Sequence, residues 1–72
     1  RKPVALQAGV FSREANAAAM AERLNAAGFE SAVSRRAHED GVLWVVTVPP
    51  GPDADRTVTR LKDSGFESFP LF

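Results

Sequence analysis

The sequence predicts an α+β fold in which the elements follow one another as β-α-β-β-α-β. They build a four-stranded antiparallel sheet of order 4-1-3-2 with both helices on one face. The first observation behind this is an internal repeat. Arg23-Leu24-Asn25-Ala26-Ala27-Gly28-Phe29-Glu30-Ser31 returns as Arg60-Leu61-Lys62-Asp63-Ser64-Gly65-Phe66-Glu67-Ser68, identical at six of nine positions. Each copy is a helix end, in which a Leu precedes a Gly able to take the left-handed conformation and a Phe follows to pack back on the last turn. The second observation is a helical stripe running into each stop, and the third is a set of short β-forming segments on either side of both helices.

Strand one is read over residues 4–11, where Leu6, Ala8 and Val10 alternate with Gln7, Gly9 and Phe11; a bulge at Gly9 would shift that parity, so the alternation alone does not fix the facing of Phe11. Helix one is read over residues 13–27, with Ser12 as N-cap, Glu14 in the first turn and a stripe of Ala17, Met20, Ala21 and Leu24. Strand two covers residues 31–36, and the polar segment Ala37-His38-Glu39-Asp40-Gly41 is the hairpin loop leading to strand three at 43–48. Pro49-Pro50-Gly51-Pro52 ends that strand. Helix two follows over 54–64, capped by Asp53 or Asp55, with a stripe of Ala54, Val58, Leu61 and Gly65. Strand four is 68–72; Pro70 lacks a ladder donor and so belongs on an edge, which order 4-1-3-2 provides.

Seventy-two residues and 7.7 kDa leave room for one small domain, 1–72, with Arg1-Lys2-Pro3 as the end of a linker. Nine Lys/Arg balance nine Asp/Glu, which removes the bulk positive field of a dedicated nucleic-acid or anionic-membrane binder. With no cysteine there is neither a disulfide scaffold nor thiol chemistry, and no apolar run approaches the ~18 residues of a membrane span.

Chemistry-bearing residues are few. Gln7 is an amide inside an apolar strand, either exposed on the open face as a ligand contact or hydrogen-bonded in place. Trp44 is either a core residue under the helices or a stacking surface, and the facing of Phe11 is equally open. Leu43, Val45 and Thr47 share the opposite side of strand three from Trp44. Arg35 and Arg36 end strand two beside Glu39 and Asp40, as a solvated hairpin with rim ion pairs or as ligand contacts. His38 has no second His nearby, and Asp53 and Asp55 read as a helix cap, so no metal site, cofactor or catalytic constellation is expected.

Three groups of residues converge on a family: Leu6-Gln7-Ala8-Gly9-Val10-Phe11, the Ala-rich helix ending Leu24-x-x-x-Gly28, and Trp44-Val45-Val46-Thr47-Val48-Pro49-Pro50. Over nearly its whole length the chain resembles a SPOR domain, the sporulation-related repeat of bacterial cell-division and envelope proteins. The resemblance implies the ferredoxin-like, or RNP-like, arrangement derived above. It also implies a non-catalytic module recognising the glycan strands of septal peptidoglycan, denuded of stem peptides, on the open sheet face. With the strand readings above, the candidate glycan contacts are Gln7, Phe11, Arg35, Leu43, Trp44, Val45 and Thr47, of which the resemblance itself supports Gln7 and the aromatic Trp44. The chain departs from the pattern at Val45, where the family often has Arg, at Pro49 in place of a Gly, and at Val10 in place of a small polar residue. The resemblance further implies a periplasmic or envelope location, as the C-terminal domain of a membrane-anchored or lipidated protein, with division or envelope proteins as further partners. It implies neither nucleic acid nor membrane insertion of this segment. The alternative is a protein-protein interaction domain whose open face is apolar.

Overall fold

The computed structural model describes all 72 residues. The elements are β1 (Ala5–Phe11), α1 (Glu14–Ala26), β2 (Ala32–His38), β3 (Gly41–Val48), α2 (Ala54–Asp63) and β4 (Phe69–Leu71). All adjacent strands are antiparallel and their order is β2-β3-β1-β4, the predicted 4-1-3-2 read from the other edge. Pro70 lies on the edge strand β4, opposite Leu6, where its missing N–H costs no ladder bond. The hairpin is tighter than the sequence suggests. β2 and β3 stay paired to His38 opposite Gly41, leaving Glu39 and Asp40 alone in the turn, where the Asp40 N–H donates to His38 Nδ1 at 3.3 Å.

One core lies between the sheet and the helices. It joins Leu6 of β1, Ala17 and Leu24 of α1, Val46 and Val48 of β3, Leu61 of α2, and Phe29 and Phe66 from the segments after the helices. Leu6, Leu24, Val46 and Leu61 are fully buried. Burying a side chain of this size contributes about 1.5–3 kcal/mol, which weighs heavily in so small a domain.

Both helices stop by the same device. Gly28 and Gly65 have φ of +93° and +91°, a region that side chains disfavour. After each glycine the chain turns back, so that the Phe29 N–H donates to the Leu24 carbonyl at 3.0 Å and the Phe66 N–H to the Leu61 carbonyl at 2.8 Å. The Gly28 and Gly65 N–H groups donate to Asn25 and Lys62, completing a Schellman motif at each end. The two Phe rings then meet edge to face, centroids 6.3 Å apart. Each ring is also covered by the arginine of the other repeat: Arg23 lies 5.4 Å from the Phe66 centroid and Arg60 lies 5.1 Å from that of Phe29. The duplicated segment is thus a reciprocal clasp between the halves, built from ring–ring and cation–π contacts.

The helix starts differ from each other. Asp53 caps α2, its carboxylate accepting from the Arg56 N–H at 3.1 Å. In α1 the expected cap, Ser12, lies one position early; the N-cap is Arg13, with no side-chain bond. β1 runs to Phe11, so Ser12 is spent on the turn between strand and helix. The Pro-rich loop before α2 is tied down by Thr57, whose hydroxyl donates to the Pro50 carbonyl at 2.8 Å.

Candidate functional site

The helices cover one side of the sheet and leave the other uncovered, so the faces of individual strand residues decide what a ligand could meet. Register fixes those faces, because residues directly opposite in adjacent strands point the same way. Leu6 is opposite Val48 and Gln7 opposite Thr47, but the next pair is Gly9 with Val46, which leaves Ala8 as an extra residue. This bulge inverts the alternation. Beyond it Val10 turns to the uncovered side with Val45, and Phe11 turns under the helices with Trp44. Glycine is required at position 9 because the Phe11 ring lies across it; a Cβ there would stand 2.8 Å from Phe11 Cε2.

The uncovered face therefore consists of rows running across the strands. The first is Phe69, Gln7, Thr47 and Ala32, one residue from each strand. At the usual strand spacing it is about 14 Å wide. The second row is Val10, Val45 and Ser34, and the third is Leu43 and Arg36. Gln7 and Thr47 are half-buried, while Phe69 is 63% exposed and Val10 38%. Val45 is only 2% exposed although no helix covers it; it sits in mid-sheet between Val10 and Ser34 and shares its face with Leu43 and Thr47.

Of the seven residues singled out in the sequence, Gln7, Leu43, Val45 and Thr47 come together on this face. Phe11, Trp44 and Arg35 do not. Phe11 and Trp44 pack against the core, and Arg35, opposite Trp44, points to the helix side. The aromatic ring on the uncovered face belongs to Phe69, and its arginine is Arg36, not Arg35. From the sequence, Arg36 is a candidate ligand contact only together with Arg35, and Phe69, Val10 and Ser34 are not singled out as site residues. Strand alternation would have given Ser34 and Arg36 once one residue of β2 was anchored, and the anchor is Val33 opposite the buried Val46. No sequence signal marks Phe69, since a three-residue strand gives no alternation to read.

What the face can do chemically follows from its groups. The Gln7 amide both donates and accepts hydrogen bonds and stands between a Thr hydroxyl and a Phe ring. Hydroxyls and secondary amides on a flat, partly apolar molecule match such a row.

Comparison with known proteins places this geometry among relatives. The SPOR domain family profile matches residues 1–71. The solution structure of the peptidoglycan binding domain of the B. subtilis cell wall lytic enzyme CwlC superposes with a TM-score of 0.72, at 31% identity, over 93% of this chain and 84% of that one. An uncharacterized protein of Treponema pallidum (strain Nichols) is 37% identical over 71 residues; these make up 99% of this chain but 18% of that protein.

Proposed function

Because the chain belongs to the SPOR domain family, we propose that it is a non-catalytic module that binds peptidoglycan. In this reading a glycan strand without stem peptides lies across the uncovered sheet face, and the module carries an attached protein to the division septum or the envelope. The observation that carries the reading is the row Phe69, Gln7, Thr47, in which an exposed ring, an amide and a hydroxyl stand side by side on an uncovered sheet. The ring offers a surface for the apolar face of a sugar, and Gln7 and Thr47 exchange hydrogen bonds with hydroxyl and acetamido groups. The likeness to a domain described as peptidoglycan binding supports the same reading.

The placement within a larger protein is part of the proposal. The T. pallidum relative is more than five times the length of the matched region, and residues 1–72 are read as one binding unit with Arg1-Lys2-Pro3 ending a linker. No helix is long and apolar enough to cross a membrane; anchoring through another part of a longer, membrane-anchored or lipidated protein belongs to the proposal. A periplasmic setting and contacts with division or envelope proteins belong to the same proposal. A second reading, a protein partner docked on this face, is favoured by the exposure of Phe69 and Val10 on the uncovered side of the sheet.

Co-sedimentation with peptidoglycan sacculi separates the two. The domain is expected to pellet with sacculi, and more strongly after an amidase has removed the stem peptides. Gln7→Ala is expected to weaken pelleting about tenfold while the melting temperature stays within a few degrees, as for loss of a polar contact at a partly covered site. Wild-type domain that stays in the supernatant with both preparations rules the glycan reading out and leaves the protein partner.

A further inference from the structure

We propose that Arg36 is a carboxylate contact on the uncovered face, recognising the lactyl carboxylate that a muramic acid residue exposes once its stem peptide is removed. The inference rests on the glycan reading above and adds a charged recognition element to it. Its basis is the distribution of charge. The chain is neutral overall, yet the four strands contain no Asp or Glu at all and carry Arg35 and Arg36 in β2. Every carboxylate side chain lies in a helix or a connecting segment. The strands therefore carry positive charge only, with Glu39 and Asp40 in the adjoining hairpin turn as the acids nearest to Arg36 in sequence.

Register then separates the two arginines. Arg35 is opposite Trp44 on the helix side; Arg36 is opposite Leu43 on the uncovered side, in line along β2 with Ser34. Arg36 is thus the arginine on the ligand-facing surface, and the strands around it hold no acid to neutralise it. A guanidinium presents a planar set of donors that fits a carboxylate in two-point geometry. Ser34, two residues away on the same face, adds a hydroxyl that can bond the neighbouring sugar oxygens.

The chemistry of the ligand supplies the complement. In intact peptidoglycan the lactyl group is joined to the stem peptide as an amide and bears no charge. Hydrolysis of that amide leaves a carboxylate on the glycan itself. A cation on the open face therefore distinguishes stripped from intact strands by charge, over and above any steric effect of the peptides.

The test compares three preparations: intact sacculi, amidase-stripped sacculi, and stripped sacculi whose carboxylates have been converted to neutral amides with a carbodiimide and a simple amine. Wild-type domain is expected to pellet best with the stripped preparation and about fivefold less with the neutralised one, as for one partly exposed charge-assisted contact. Arg36→Gln is expected to bind both stripped preparations equally, at the weaker level; Arg36→Lys should recover part of the preference, and Arg35→Gln should behave as wild type. An Arg36→Gln domain that still prefers the charged glycan overturns the assignment. So does an Arg35→Gln domain that loses the preference as fully. Equal wild-type binding to charged and neutralised strands removes the carboxylate contact while leaving the glycan reading in place, and tightest binding to intact sacculi assigns any charge effect to stem-peptide carboxylates instead. Absence of wild-type binding to every preparation removes both readings. A melting curve for each variant separates lost binding from lost fold.

Discussion

In the first half of the chain the Ser31 hydroxyl has two acceptors in reach, the Ala21 carbonyl at 3.2 Å and Asn25 Oδ1 at 3.0 Å, whereas at the same place in the repeat the Ser68 hydroxyl is buried without a partner. The surroundings otherwise match. Leu24 and Leu61 are both fully buried, Gly28 and Gly65 share one backbone conformation, and the two Phe rings and two Arg side chains exchange places across the clasp. The copies differ at three positions, and the one whose side chain bonds the serine in the first half is Asn25, replaced by Lys62 in the second. An amide can accept the serine proton and an ammonium cannot. Near-identical local sequence thus gives the same backbone in both halves, while the exchange of Asn25 for Lys62 removes one of the two acceptors that the Ser31 hydroxyl has and Ser68 lacks.

The equivalence of the halves is tested most strongly at the leucines. Leu24→Ala and Leu61→Ala each remove a fully buried side chain from the same core and should each cost about 3 kcal/mol. Urea unfolding should report losses equal to within about 1 kcal/mol. A loss confined to one position would mean that the two helices do not share the core evenly. The next effect is at the stops themselves. A Cβ on Gly28 or Gly65 meets nothing within 4 Å, so Gly28→Ala and Gly65→Ala are free of clashes and penalised only by the positive φ. Each should lower stability by about 1–2 kcal/mol, and a neutral outcome at either would show that the C-cap tolerates a side chain.

How much of this was legible depended on whether the deciding contact was local. The helix stops could be read because Leu, Gly and Phe lie within six residues of one another and the motif closes on itself. The sheet order followed from the two βαβ crossovers and from Pro70 needing an edge. The faces of β1 could not be read. One extra residue, Ala8, exchanges the directions of Val10 and Phe11, and the sequence marks it only by a neighbouring glycine. The candidate site inherited that ambiguity: Phe11 and Trp44 pair with each other under the helices, while the exposed ring comes from β4, the strand too short to show a pattern. Choosing Arg36 over Arg35 required a long-range pairing, Val33 with Val46, which no local rule supplies. Ser12 was a sound N-cap residue displaced by the length of β1.

The smallest effects test the serine asymmetry directly. Ser31→Ala removes a hydroxyl with two acceptors and should cost about 1 kcal/mol, lowering the melting temperature by about 4–8 °C. Ser68→Ala removes a hydroxyl that has no partner in its crevice between Val58, Lys62, Phe66 and Glu67. It should be neutral or stabilising, because the cost of keeping that group from water disappears with it. Lys62→Asn carries the comparison one step further by giving the second half the acceptor that the first half has. If the residue after the Leu is what separates the halves, Lys62→Asn stabilises the wild-type domain but not the Ser68→Ala variant, and the gain in the double mutant vanishes. Equal gains with and without the Ser68 hydroxyl would trace the effect to the exposed lysine itself and leave the unpaired hydroxyl unexplained by its neighbour.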